Sequence, residues 1–155
     1  MEKTKLFIDK AYNKAKESDS KDMRRDVLFL LCDFYLATKN FVEFRKTMEI
    51  LQRLVKGVKS KRFESNISLL LGRYYTETND FEKANKHLNK ALKIFEEIGE
   101  RLNIGKANYY MAIMKLAMGK KSLGRKRLTK ASEIFESLGA KGWKEKVEKT
   151  LKNFK

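Results

Sequence analysis

The chain has 155 residues, of which 42% are hydrophobic, enough to build a continuous core and too many for a disordered chain. It has no proline and no run of about 18 apolar residues, which excludes a membrane-spanning helix on sequence grounds. The formal net charge of +16 is compatible with a nucleic-acid partner or an anionic surface, and also with lysine-rich helix faces exposed to water.

Two further features indicate the compartment. The sequence has one cysteine, Cys32, so no disulfide can form within the chain. Residues 1–18 are charged throughout and lack the apolar centre of a secretory signal peptide. We therefore predict a cytoplasmic protein that does not enter a membrane.

Eight helices are predicted from apolar residues at helical spacing, with turn residues between them. In chain order they span residues 3–17, 22–38, 41–57, 62–78, 81–98, 101–118, 121–138 and 141–153. Asn40 with Glu43, and Asn79 with Glu82, have the spacing of a capping box at a helix start. No segment alternates between apolar and polar residues for long enough to form a strand. The predicted fold class is all-α.

The predicted helices belong to a repeat of 40 residues. A shift by that distance overlays HLNKALKIFEEIGER, from His87, on RLTKASEIFESLGAK, from Arg127, with seven identities. A fainter overlay one period earlier keeps the apolar character, and there Tyr75 falls on Tyr35. Each repeat predicts two helices joined by a tight turn, and stacking of successive pairs buries a shared core.

The middle repeat carries small and large residues in a particular order. It has Leu71 and Gly72, then Tyr75, and in its second helix Ala84, Leu88 and Ala91. This pattern resembles the tetratricopeptide repeat, which implies a right-handed α-solenoid, a superhelix of stacked antiparallel helix pairs. The resemblance implies that Gly72 and the alanines are small because neighbouring helices approach closely at those positions.

The sequence also departs from that family. Ser68 and Glu96 stand where the family has an aromatic residue and a proline, and Lys115 stands where it has tyrosine. The period of 40 residues exceeds the usual 34, so each helix is about one turn longer. Such long units are similar to those of bacterial and archaeal signalling and regulatory proteins.

A single helical-repeat domain is predicted over residues 1–155. Its parts are an N-terminal helix in 1–20, three tetratricopeptide-like units in 22–60, 61–100 and 101–140, and a C-terminal capping helix in 141–155. In the capping helix, Trp143, Val147 and Leu151 are expected to cover the last pair. The first helix resembles the second helix of a unit that has no first helix, so the chain is either a fragment of a larger regulator or a protein capped by one helix.

The resemblance implies a concave groove, lined by the first helix of each pair, that binds extended peptides or partner helices. The groove positions correspond to Phe29, Asp33, Leu36, Asn66, Leu69, Arg73, Thr76, Lys106, Tyr109, Ile113 and Leu116. Helix 101–118 is apolar nearly all round, so either helix 141–153 or a partner must cover its second side. We therefore predict a non-catalytic scaffold that binds a peptide or helix of a regulatory or assembly partner.

Positive charge is concentrated toward the C-terminal end. From Arg101 onward there are 15 lysines and arginines and 4 glutamates, so +11 of the net +16 lies there. The predicted basic patch comprises Lys120, Lys121, Arg125, Lys126, Arg127 and Lys130. The alternative function is therefore a nucleic-acid-associated regulator that contacts phosphates without reading the base sequence, whereas the plainer interpretation is a solvated outer face.

The sequence offers few residues for chemistry. His87 is its one histidine, and Cys32 belongs to a different repeat, so neither a Cys–His pair nor a zinc site is expected. Cys32 is predicted to be a small core residue. We predict no enzymatic activity, no metal and no cofactor. The oligomeric state stays open, because both ends of a helical stack can expose apolar surface.

Overall fold

The computed structural model describes residues 2–17 and 19–154, and these residues are all-α. The helices are α1 Glu2–Glu17, α2 Lys21–Ala37, α3 Phe41–Val55, α4 Lys61–Glu77, α5 Phe81–Ile98, α6 Arg101–Ala117, α7 Lys121–Ser137 and α8 Lys141–Asn153. No strand occurs in the described ranges. Within each of the two compact units described below, consecutive helices pack against one another in a solenoid-like manner, so the predicted fold class is confirmed.

The predicted boundaries lie close to the observed ones, with the largest difference at the end of α3. This helix ends at Val55 rather than at residue 57, because Lys56 leaves the helical region at ψ 125 and Gly57 follows at φ +84. Gly57, the predicted last residue of this helix, lies instead within a longer connection, where the amide of Val58 donates to the carbonyl of Val55 at 2.9 Å.

Helices α2 to α8 begin at every twentieth residue, from Lys21 to Lys141. Most connections between them use one kind of turn, which the turn after α5 illustrates. There Gly99 has φ +72, its amide donates to the carbonyl of Glu96, and the amide of Glu100 donates to the carbonyl of Phe95 at 3.0 Å. These two bonds satisfy carbonyls that the helix end leaves unpaired. The same pair of bonds follows α2, α4, α6 and α7.

Helix starts fall into two groups. The side chains of Ser20, Asn40, Ser60 and Asp80 each accept a hydrogen bond from the amide three residues later. The residues at the equivalent places before α6, α7 and α8 make no such side-chain bond. The capping role predicted for Asn40 is thus confirmed. The one predicted for Asn79 is wrong, because Asp80 caps α5 and Asn79 takes the left-handed turn position at φ 61.

The chain divides into two compact units, one up to Lys59 and the other from Ser60 onward. Unit 1 contains α1, α2 and α3, with α2 packed against both of the others. Apolar side chains from all three helices fill its interior: Ala15, Val27, Leu28, Leu31, Cys32, Tyr35, Leu36, Phe44, Met48 and Leu51. The core position predicted for Cys32 is therefore confirmed.

Unit 2 contains α4 to α8, and at some of its glycines a neighbouring helix leaves no room for a side chain. A Cβ atom added to Gly72 would lie 2.6 Å from Cγ of Leu88, and one added to Gly124 would lie 2.6 Å from Cγ of Leu116. One core cluster surrounds Phe95 between α4, α5 and α6, and a second surrounds Phe135 between α6, α7 and α8. The close approach predicted at Gly72 is confirmed.

The helices also bear on membrane insertion. Across residues 2–17 and 19–154, every helix is too short or too polar to traverse a bilayer.

Candidate partner-binding surfaces

Helix α8 covers the second side of α6. Val147 is fully buried against α6 and α7, and the hydroxyl groups of Tyr109 and Thr150 lie 3.2 Å apart. The Thr150 hydroxyl donates to the carbonyl of Lys146, so Tyr109 is the donor in that pair. Burial raises the pKa of the Tyr109 hydroxyl, because the charged phenolate would be poorly solvated there. Of the two predicted explanations for the apolar character of α6, cover by the chain's own last helix is therefore confirmed.

Above this buried contact, aromatic rings and cations from three helices meet at one place, the aromatic–cation cluster. It comprises Arg73 of α4, Lys106 and Tyr110 of α6, and Trp143 and Lys146 of α8. The Cζ atom of Arg73 lies 4.4 Å from the centre of the Tyr110 ring. The ammonium groups of Lys146 and Lys106 lie 4.7 Å and 5.5 Å from the centre of the Trp143 ring.

The rings of this cluster pack on one another and on the core. Trp143 stacks on the buried ring of Phe135 with centroids 5.3 Å apart, and Tyr110 meets Trp143 edge to face at 6.1 Å. Each ring face attracts a cation with roughly 0.5–1 kcal/mol at an exposed position. The cluster therefore keeps three positive groups, one from each of three helices, close together on the surface of unit 2.

The residues predicted to line a groove differ in accessibility. Leu36 in unit 1, and Leu69, Thr76, Tyr109 and Leu116 in unit 2, are buried. Leu69 and Tyr109 belong to the core clusters, so each packs inside the chain rather than facing a partner. The accessible members of the set are Phe29, Asp33, Asn66, Arg73, Lys106 and Ile113. Of these, the structure brings Arg73 and Lys106 together in the aromatic–cation cluster.

The basic patch predicted on α7 separates into three parts. Lys120 and Lys121 lie exposed at the start of the helix. Arg125 turns toward the end of α8, where it donates to the carbonyl of Phe154 at 3.0 Å. The remaining three residues line an open depression of about 740 Å³, here named the α7 depression. Its lining is Lys115, Leu123, Lys126, Arg127, Thr129, Lys130 and Glu133.

One polar contact fixes a cation at the edge of the α7 depression. The guanidinium Nη1 of Arg127 donates to Oδ1 of Asn108 at 2.8 Å. Asn108 is fully buried, and its Nδ2 donates to the carbonyl of Ile104 at 2.9 Å. The buried amide is thereby satisfied on both sides, and Arg127 is held in one orientation.

His87 belongs to unit 2, whereas Cys32 belongs to the core of unit 1. His87 is half-buried on α5, where its ring stacks on Tyr75 with centroids 5.5 Å apart. Its Nδ1 atom is buried without a hydrogen-bond partner, and burial together with nearby Lys90 and Lys86 lowers the pKa of its imidazole. Within the described ranges, no group of three or more histidine, cysteine, aspartate or glutamate side chains is arranged to hold a metal ion.

Several contacts of these surfaces had no signal in the sequence. Tyr110 and Trp143 are 33 residues apart and meet only because α8 packs on α6. Lys115 was noticed as a departure from the tetratricopeptide pattern, but nothing in its sequence neighbourhood placed it beside Lys126 and Lys130. The partner of Arg127 was also missed, since an asparagine in an apolar helix gives no sign of what it bonds.

Comparisons with known proteins add no relative. No protein-family model matches the sequence, and no curated protein matches it significantly.

Proposed function

We propose that this chain is a non-catalytic interaction scaffold, and that unit 2 binds an acidic peptide or helix of a regulatory or assembly partner at the aromatic–cation cluster. We also propose that the repeats are of the tetratricopeptide type, in which the first helix of each pair faces the partner; in unit 2 these are α4 and α6, and the capping helix α8 adds Trp143 and Lys146 to their surface. The cytoplasm is the proposed compartment, on the basis of the single cysteine.

The observation that carries this proposal is the convergence of Arg73, Lys106 and Lys146 on the rings of Tyr110 and Trp143. The ring faces hold these three like charges close together on one surface. Carboxylates of a bound partner that approaches this surface would form charge-assisted hydrogen bonds with them. The rings provide apolar surface beside those charges, as partner-binding surfaces commonly do.

A nucleobase is a less suitable ligand for this cluster. Phe135 already stacks on Trp143, and the ammonium groups of Lys106 and Lys146 lie over the same ring. Base stacking needs an accessible ring face. The cluster therefore favours carboxylates approaching the cations over bases approaching the rings.

Trp143 supplies the test, because it is the only tryptophan of the sequence and lies inside the cluster. Acidic amphipathic peptides are titrated into the protein while its tryptophan fluorescence is recorded, and a lysine version of each peptide serves as the control ligand. We expect a saturable change in emission with the acidic peptides that the lysine versions do not produce.

Two variants with equal loss of charge locate the binding. The first combines Arg73→Gln, Lys106→Gln and Lys146→Gln, and should lose at least about tenfold in affinity. The second combines Lys141→Gln, Lys149→Gln and Lys152→Gln, three exposed positions of α8, and should bind as the unaltered protein does. Equal weakening by both variants, or no response to any acidic peptide, would contradict the proposal.

A further inference from the structure

The α7 depression arises from a difference between two repeats of unit 2. In the middle repeat, the rings of Tyr75 and His87 stack at 5.5 Å, and Nζ of Lys83 lies 5.3 Å from the centre of the Tyr75 ring. Forty residues later, Lys115 replaces the tyrosine and Arg127 replaces the histidine. Two rings have thus been exchanged for two cations, and the space beside them is open.

The α7 depression has a strong excess of positive charge. Lys115, Lys126, Arg127 and Lys130 line it, against one carboxylate, Glu133. Lys126 and Lys130 are four residues apart on α7, so they lie on the same side of that helix, one turn from each other. No aromatic side chain contributes to the lining. The depression therefore offers a row of cations along the helix and no platform for a base.

Arg127 is the fixed point of this row. Its Nη1 atom donates to the buried Asn108, and that bond restrains the guanidinium beside the depression. The other N–H groups of a guanidinium held in this way remain able to pair with a phosphate in a forked arrangement. The three lysines add point charges on flexible stems, which follow a charged polymer without demanding a single geometry.

We propose that the α7 depression binds the phosphate backbone of a nucleic-acid duplex without sequence preference, independently of the acidic partner assigned to the aromatic–cation cluster. A duplex is favoured because it carries about one negative charge per 1.7 Å of its length, far denser than the carboxylates of an acidic peptide. It is favoured over a single strand because single strands are held mainly by stacking of bases on aromatic rings.

The test measures binding of a short fluorescent duplex by anisotropy between about 50 and 200 mM salt. Four phosphate contacts predict a log–log salt slope of about −3.6, because each contact contributes about −0.9. Combining Lys115→Gln, Lys126→Gln and Lys130→Gln should bring the slope to about −1 and lower the affinity at low salt by at least about tenfold. Arg127 is left unchanged in this variant, so that Asn108 keeps its hydrogen bond.

A second variant tests whether the depression must be open as well as positively charged. Lys115→Tyr restores the residue that the chain has at Tyr75, so the fold accommodates it, while the ring should fill the depression. We expect this single change to weaken duplex binding more than Lys115→Gln does. Equal effects of the two changes would mean that the depression itself is not the binding place.

Matched controls separate this proposal from the previous one. The variant with Lys141→Gln, Lys149→Gln and Lys152→Gln, and the one with Arg73→Gln, Lys106→Gln and Lys146→Gln, should bind the duplex as before. The depression variant, in turn, should still bind acidic peptides. The proposal is overturned if the α8 variant weakens duplex binding as much as the depression variant does. Absence of duplex binding at 50 mM salt, or tighter binding of a single strand, would also overturn it.

Discussion

The two units solve the same packing problem with different residues. In unit 1, Cys32 of α2 and Phe44 of α3 occupy the positions that Gly72 and Ala84 occupy, one period later, in α4 and α5. Phe44 is fully buried, so a ring fills the space between its helices, whereas Gly72 leaves room only for the side chain of Leu88. One repeat frame therefore supports two ways of filling the space between its helices, and at Gly72 the packing depends on the absence of a side chain.

The largest expected effect of breaking this arrangement is at the ring in unit 1. Phe44→Ala should lower the free energy of unfolding by about 3–5 kcal/mol, because it removes a buried ring and leaves a cavity. The measurement is urea unfolding followed by circular dichroism. Val42→Ala on the same helix is the control, since that side chain is 53% exposed and should change stability by less than about 0.5 kcal/mol. A loss below about 1 kcal/mol for Phe44→Ala would show that α3 can close the cavity.

The converse change crowds unit 2. Gly72→Ala and Gly124→Ala should each lower the free energy of unfolding by about 1–3 kcal/mol, because the new methyl group meets a leucine side chain at 2.6 Å. Gly142→Ala is the matched control, since nothing lies within 4 Å of a Cβ there and alanine favours the helix by up to about 1 kcal/mol. If all three substitutions stabilised the protein, the close helix crossing assigned to unit 2 would be wrong.

Substitutions at two equivalent turns should change the free energy of unfolding in opposite directions. Lys39 holds the left-handed position after α2 at φ 55, a place that Gly119 fills after α6 at φ +73. Lys39→Gly should raise the free energy of unfolding by about 0.5–1 kcal/mol, and Gly119→Ala should lower it by about 1 kcal/mol. Both are read from the midpoint of thermal unfolding. Changes of the same sign at the two turns would refute the equivalence of their geometry.

The smallest expected effect is a pH dependence confined to unit 2, which contains the only histidine. Because the pKa of His87 is lowered in the folded chain, its stabilising contribution is complete above the ordinary value of 6.5 and is lost as the pH falls through the lowered one. Unfolding measured at pH 7.5 and pH 5.0 should show a smaller loss on acidification for His87→Phe than for the unaltered chain. Equal losses would assign the pH dependence to other groups.

The helices were predictable because they depend on local signals. Apolar spacing placed every helix, and Asn40 capped the one it was expected to cap. Asn79 and Asp80 could each cap α5, and the sequence alone did not distinguish them. Both residue types are suited to a helix cap and to a left-handed turn position. The late end predicted for α3 has the same origin, since glycine can follow a helix directly or lie further into a loop.

The surfaces were harder to predict because they depend on packing between distant segments. Tyr109 and Arg73 were both predicted to face the groove, because each lies on the first helix of a pair. In the structure, α8 buries Tyr109 and leaves Arg73 accessible. The cover of α6 by α8 was predicted as one of two alternatives, from the apolar surface that had to be hidden. The contact between Tyr110 and Trp143 was not predicted, because it depends on how α8 packs on α6.

The even spacing of the helix starts affects how such a chain can change in length. Any segment of 40 residues, such as 61–100, begins and ends at the same phase of helix and turn. A tandem copy of that segment would have helices of the same length and turns at the same positions. Insertion or deletion of whole 40-residue segments would therefore keep the later helices in register with the earlier ones. Deleting one residue inside a helix would instead rotate the rest of that helix by about 100° about its axis. Side chains of the core would then face water.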